Sequence, residues 1–178
     1  DFKMDYYNND GSWETMCANG ARCAILYMYN RGLIDTRSTF CTGDGTHDAV
    51  VCNNNIIRLR MKSPQYKTGV IKVEGFKGCY VDSGARHFAV PVVNFSKFDL
   101  YKSGRKIRFS DEFSPKGINV NFYTRLGPHS IHVQTYEKGV EKMMLSCGSG
   151  SVAAAYHASQ TLGLESPVDV IVPGGKLI

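Results

Sequence analysis

Two of the six cysteines, which stand at positions 17, 23, 41, 52, 79 and 147, share a context that suits chemistry. Met16-Cys17-Ala18-Asn19-Gly20-Ala21 and Ser146-Cys147-Gly148-Ser149-Gly150-Ser151 each set a cysteine before a small residue, a polar residue and a glycine. A helical pattern follows each. Ala21, Ala24, Ile25 and Met28 recur at helical spacing over residues 19–30, with Gly32 as a stop. Residues 149–162 carry Val152-Ala153-Ala154-Ala155, small and apolar on nearly every side as in a buried helix, and Gly163 ends the run. Asn19 and Ser149 are suited to N-cap their helices. Each cysteine then lies just ahead of unpaired backbone N–H groups and the positive end of a helix dipole, a setting that favours a thiolate. The same N–H groups, unhindered beside Gly20, Gly148 and Gly150, suit a carboxylate.

Two thiols beside two anion-binding helix ends point to a reaction at a carbon next to a carboxylate. An α-proton is very weakly acidic, so its removal without pyridoxal phosphate needs a placed base and donors for the developing negative charge. A thiolate on one face and a thiol on the other would deprotonate and reprotonate the carbon with inversion. One such motif alone is better read as a structural cysteine in a small-residue turn; two matching motifs in separate parts of the chain favour catalysis.

The rest of the composition narrows the class. At 178 residues, 43% hydrophobic and 21% charged, the chain is long enough for one large or two small globular domains. The net charge of +5 is modest, and the basic cluster Lys102, Arg105, Lys106 and Arg108 lacks interleaved aromatics, so it reads as a solvated face and no nucleic acid is expected. No stretch approaches the length of a membrane span and no export signal is recognisable, which leads to an expectation of a cytoplasmic protein without a membrane partner. The cysteines include no C-x-x-C pair, so no metal is expected. P-loop and dinucleotide fingerprints are also lacking.

Strand-like runs are expected at 2–7, 49–51, 56–61, 70–73, 79–81, 88–93, 120–123, 131–136 and 168–172, and the two cysteine-headed helices are the only long ones expected. Pro64 lies in a polar linker over 63–69 and divides the chain into residues 1–64 and 65–178, each with one cysteine-headed helix. His87 and His132 read as structural or surface residues, since no nucleophile–acid pattern accompanies them. Both ends are abrupt, as in a fragment of a longer protein that lacks both termini.

Three sets of residues resemble the diaminopimelate epimerase family. Tyr7-Asn8-Asn9-Asp10-Gly11-Ser12 with Cys17-Ala18-Asn19-Gly20-Ala21-Arg22-Cys23 is similar to its N-A-D-G-S and C-G-N-G-x-R-C signature; Tyr136-Glu137-Lys138-Gly139-Val140 with Cys147-Gly148-Ser149-Gly150 to Y-E-R-G-V and C-G-[ST]-G; Pro173-Gly174-Gly175-Lys176-Leu177 to P-G-G-x-L. The resemblance spans nearly the whole chain. It implies an α+β fold of two pseudo-symmetric halves, each a curved, mostly antiparallel sheet around a central helix, and a cofactor-independent isomerase acting on a small amino-acid substrate, with a homodimer left open. Cys17 and Cys147 would be the two bases. Ala18, Asn19, Gly148 and Ser149 would hold the carboxylate at the reacting carbon, and Asn8, Asn119, Glu137 and Lys138 the distal amino and carboxylate groups.

Four departures from the family pattern stand out. Lys138 replaces an arginine, a point charge for a planar two-point grip. Ala85-Arg86-His87 stands for Asn-Pro-His or Ser-Pro-His, Ala18 for a glycine, and Met143-Met144 for Glu-Thr. A racemase of another amino acid, or a non-catalytic relative, are the competing readings.

Overall fold

The structure, a computed structural model, describes residues 1–8 and 11–178, and among them it forms fifteen strands and three α-helices in an α+β arrangement. The chain divides into two compact units, Asp1–Ser63 and Pro64–Ile178.

The first unit contains β1 (Phe2–Lys3), β2 (Tyr6–Tyr7), β3 (Trp13–Glu14), α1 (Ala18–Asn30), β4 (Arg37–Thr42), β5 (Gly45–Val51) and β6 (Ile57–Leu59). One sheet runs β1-β4-β5-β6, with β1 parallel to β4 and the other pairs antiparallel. The single strand expected over 2–7 is two: β1 joins this sheet, whereas β2 folds back on β3 as a separate ribbon. Strand β4, absent from the expected set, is mostly polar, and only Phe40 of its residues is fully buried. Phe40 packs with Met16, Ala18, Ala21, Ile25 and Ala49, so the apolar stripe of α1 and the sheet share one core.

The second unit continues with β7 (Gln65–Tyr66), β8 (Ile71–Val73), β9 (Phe76–Asp82), β10 (Arg86–Pro91), α2 (Leu100–Arg108), β11 (Asn119–Gly127), β12 (Ser130–Glu137), β13 (Lys142–Met144), α3 (Gly148–Leu162), β14 (Asp169–Val172) and β15 (Gly175–Leu177). Its main sheet runs β15-β14-β12-β11-β10-β9-β7, with β13 on β12 and β8 on β9. The pairs β10–β11 and β12–β14 are parallel and the rest antiparallel.

Alternation along these strands serves two cores. On one face Val81, Ala89, Tyr123, Ile131 and Val133 meet Ala153, Ala154 and Ala158 of α3. The small residues of α3 let its backbone lie close to the sheet, and Gly163 (φ 63°) closes the helix in the left-handed conformation that glycine adopts freely. On the other face Phe88, Val90, Val120, Phe122 and Tyr136 pack with Ile107 of α2 and with Phe113 and Ile118.

Helix α2 was not expected. Four of its nine residues are basic, and within it only Gly104 and Ile107 are buried. Lys102, Arg105 and Lys106 of the basic cluster are exposed, whereas Arg108 is partly buried and pairs with Glu141 at 3.1 Å; the Asp99 carboxylate caps the helix by accepting from Lys102 N at 2.9 Å. Among the described residues no helix is long and apolar enough to cross a membrane.

Contact between α2 and β12 depends on Gly104, where an added Cβ would lie 2.6 Å from Tyr136 Cβ. Gly104→Ala should therefore destabilise the protein by about 1–3 kcal/mol through overpacking, despite alanine's better helix propensity. Urea unfolding checks this, and a more stable variant would contradict the tight contact.

Candidate functional site

Each of the two cysteines is itself the N-cap of its helix. Cys17 has φ −131° and ψ 107°, and Cys147 has φ −131° and ψ 110°. This extended backbone lets each cysteine's carbonyl accept the first helical bond, from Ala21 N and Ser151 N, both at 2.9 Å. Asn19 and Ser149 are therefore inside the first turn, correcting their expected role as caps. Their side chains serve other partners: Asn19 Oδ1 accepts from the Arg22 guanidinium, and Ser149 Oγ meets His87.

Around Cys17, the sulfur accepts from Gly20 N at 3.4 Å, occupying the place of a capping oxygen. Ala18 is buried and Asn19 half-buried. Asn8 follows β2, and its Nδ2 donates to Ser12 Oγ at 3.2 Å, bridging the ends of the turn between β2 and β3. Asn9 and Asp10 of the expected signature lie outside the described residues.

Around Cys147 the support is a buried polar chain. Thr135 Oγ1 donates to Asn121 Oδ1 at 2.9 Å, and Asn121 Nδ2 donates to His87 Nδ1 at 2.9 Å. A neutral imidazole carries one N–H, so with Nδ1 accepting, Nε2 donates to Ser149 Oγ, 2.9 Å away. The Ser149 hydroxyl proton is then free to point elsewhere, and Cys147 Sγ lies 3.8 Å from this oxygen. Ser83, fully buried, donates its hydroxyl to the Ser149 carbonyl at 2.8 Å. Gly150 permits this approach: an added Cβ would fall 2.2 Å from Asn121 Oδ1 and 3.2 Å from Cys147 Sγ.

Burial holds His87 neutral. The ring is fully buried, and desolvation lowers its pKa from 6.5 to about 3, against the opposing pull of the Asp82 carboxylate. Reading His87 from the sequence as a structural or surface residue missed its contact with the cysteine-headed helix. Strand parity was the available signal, since His87 shares its face with Ala89, and Asn121 shares its own with Tyr123. Arg86 has the opposite parity, and its guanidinium stands 5.2 Å over the Tyr80 ring beside the other core.

The remaining expected residues of this unit gather at the same end of the sheet. Asn119 bridges two backbones, donating from Nδ2 to Arg86 O and accepting at Oδ1 from Lys138 N, both at 2.9 Å. The β11–β12 register pairs Asn121 with Thr135, so Glu137 falls on the face of Thr135 beside Asn119. Glu137 and Lys138 are half-buried, as are Gly148 and Ser149. Among the described residues no cluster of three or more His, Cys, Asp or Glu is arranged to hold a metal ion.

Residues 79–178 match the family model described as diaminopimelate epimerase. The chain is 37% identical to the diaminopimelate epimerase of Flavobacterium psychrophilum over 99% of its own length and 68% of the relative's. This chain belongs to the diaminopimelate epimerase family. The corresponding enzyme of Aquifex aeolicus is 39% identical over all of this chain and 66% of the relative, and that of Thermotoga maritima 35% over 98% and 70%. The chain thus spans about two thirds of the length of these curated family members. Solved structures of a hydroxyproline epimerase from Agrobacterium vitis and a probable proline racemase from Agrobacterium radiobacter share the fold. Their TM-scores are 0.73 and 0.72, each at 14% identity, and the match covers 97% and 98% of this chain and 59% and 61% of theirs.

The buried neutral His87 links stability to pH. Unfolding returns the ring to an ordinary pKa near 6.5, so between that value and about 3 the unfolded chain binds more protons. Stability should fall as the pH drops through this window, and His87→Gln should flatten the slope. His157, whose pKa burial also lowers, contributes in the same sense, so the slope should be reduced rather than abolished. Urea midpoints across the acid range measure it, and equal slopes in the two proteins would refute the assignment.

Proposed function

We propose that Cys17 and Cys147 are the two bases of a diaminopimelate epimerase that interconverts the LL and meso forms in the cytoplasm. The observation that carries this reading is the matched capping geometry: two cysteines in different units with nearly the same extended backbone, each the N-cap of a helix whose first-turn N–H groups point away from the helical ladder. Family membership supplies the substrate class.

In the proposed reaction one sulfur, as thiolate, takes the α-proton, and the electron pair of the broken C–H bond spreads into the adjacent carboxylate. The other sulfur, as thiol, gives its proton to the opposite face. The centre inverts, the two sulfurs exchange roles, and no cofactor is consumed. N–H groups at Ala18, Asn19, Gly148 and Ser149 hold the carboxylate on which charge develops, as donors at a helix N-terminus do for any anion. The Ser149 hydroxyl, held by His87, lies 3.8 Å from Cys147 Sγ and can exchange a hydrogen bond with it.

Asn8, Asn119, Glu137 and Lys138 are assigned to the substrate's distal amino and carboxylate groups. Lys138 offers that carboxylate a single ammonium where the family signature has a guanidinium fork. This substitution favours a second reading, a racemase of a different amino acid with the same two bases.

Assays of the complete gene product on LL- and meso-diaminopimelate, proline and hydroxyproline separate the two readings. Diaminopimelate should be the substrate turned over, and Cys17→Ser and Cys147→Ser should each lower kcat by at least about a hundredfold. Preferential turnover of another amino acid would establish the second reading. Wild-type rates in both cysteine variants would remove these residues from catalysis.

A further inference from the structure

Away from the cysteines, one buried ionisable pair in the first unit has no part in the reaction described. His47 is 2% exposed and the Asp44 side chain 5%. Nδ1 of His47 lies 3.0 Å from the Arg60 carbonyl oxygen, and Nε2 lies 2.9 Å from Asp44 Oδ1 and 3.1 Å from Thr42 Oγ1. The carbonyl can only accept. The Thr42 hydroxyl spends its one proton on Asp44 Oδ1, 2.5 Å away, and so offers Nε2 a lone pair. Every neighbour of either ring nitrogen is thus an acceptor.

Such surroundings suit an imidazolium, with protons on both nitrogens, opposite a carboxylate. Among the described residues Asp44 makes no other ion pair: the Arg60 guanidinium is engaged with Asp48 at 3.2 Å, and Asp44 Oδ2 is buried without a hydrogen-bond partner. The pair sits where it can act on Cys17. Gly43, next to Asp44, donates its N–H to the Thr15 carbonyl at 2.9 Å, two residues before the thiol. At Gly43 an added Cβ would lie 2.5 Å from the Trp13 ring and 2.9 Å from Thr15 Cα, so the turn lies flush on this segment. Phe40 stacks on the His47 ring at 5.3 Å and packs with Met16 and Ala18, the two neighbours of Cys17.

We propose that Asp44 and His47 form a buried carboxylate–imidazolium pair that holds the turn between β4 and β5 against Thr15, making His47 a positioning residue for Cys17. Its catalytic consequence rests on Cys17 being a base; the pair and its grip on the segment do not.

The test uses the complete gene product. Long-range proton–nitrogen NMR should find both ring nitrogens of His47 protonated at about pH 7.5, and only one in Asp44→Asn. His47→Phe keeps a stacking ring but strands the Asp44 charge. It should lower the exchange protection of the Gly43 amide about tenfold, the scale of one charge-assisted hydrogen bond, and speed alkylation of Cys17 while leaving that of Cys147 unchanged. Adding Asp44→Asn to His47→Phe should restore part of the protection by removing the stranded charge, a rescue that a purely steric role would not give. An unprotonated ring nitrogen in the wild type, or unchanged Gly43 protection and Cys17 alkylation in His47→Phe, overturns the proposal. These readouts need no turnover, so failure of the epimerase assignment would appear separately, as a wild-type protein inactive on every amino acid tested.

Discussion

A helix must begin somewhere, and its first N–H groups must find partners outside the helix. In this chain that constraint is met twice by a cysteine in extended conformation, whose carbonyl starts the helical ladder while its sulfur stays beside the N–H groups of the first turn. Much else follows from keeping those two helix starts in place. The alanine-rich face of α3 brings its backbone down onto the sheet, and the Ile25 stripe of α1 presses into a core shared with Phe40. The glycines after each cysteine keep the approach open; at Gly150 even a methyl group would collide with Asn121.

The two helix starts are alike in backbone and unlike in support. The Cys17 sulfur is drawn into capping its own helix through Gly20 N, and beyond it the Asp44–His47 pair steadies the segment from the β4–β5 turn. At Cys147 the sulfur makes no capping bond; instead a chain from Thr135 through Asn121 and His87 fixes the Ser149 hydroxyl beside it. Two histidines are therefore buried for opposite electrostatic reasons. His87 is neutral because a donor faces Nδ1 and burial disfavours its charge, whereas acceptors surround His47 on every side. Proposed bases that exchange roles in each turnover need different resting states, and unequal support suits that need.

What was legible in the sequence was the local chemistry. The cysteine, small residue, polar residue and glycine before an apolar run mark both helix starts, because capping and helix periodicity are properties of a few adjacent residues. The sequence misplaced the cap by two residues, since serine and asparagine are the usual choice and a sulfur in that position is not. Helix α2 escaped notice because its buried surface consists of a glycine and one isoleucine among charges. Strand β4 escaped for the same reason, with Phe40 alone fully buried. The buried polar chains were beyond local reading: His87 meets Asn121 and Ser149 only when residues 34 and 62 positions away are folded together. Strand parity hinted at the face His87 occupies, but only the fold reveals its partners.

Central to the account is that two different groups, one for each face, handle the α-proton. The most direct test runs the complete gene product with a single pure isomer of its substrate in heavy water and follows where deuterium first appears. With two bases, the group that protonates the new isomer carries solvent deuterium, whereas return to the starting isomer restores the original hydrogen. Early product should therefore be labelled at the α-carbon while the remaining substrate stays unlabelled. Deuterium entering substrate and product equally from the first turnovers would mean that one exchanging base serves both faces, and would contradict the roles given to Cys17 and Cys147.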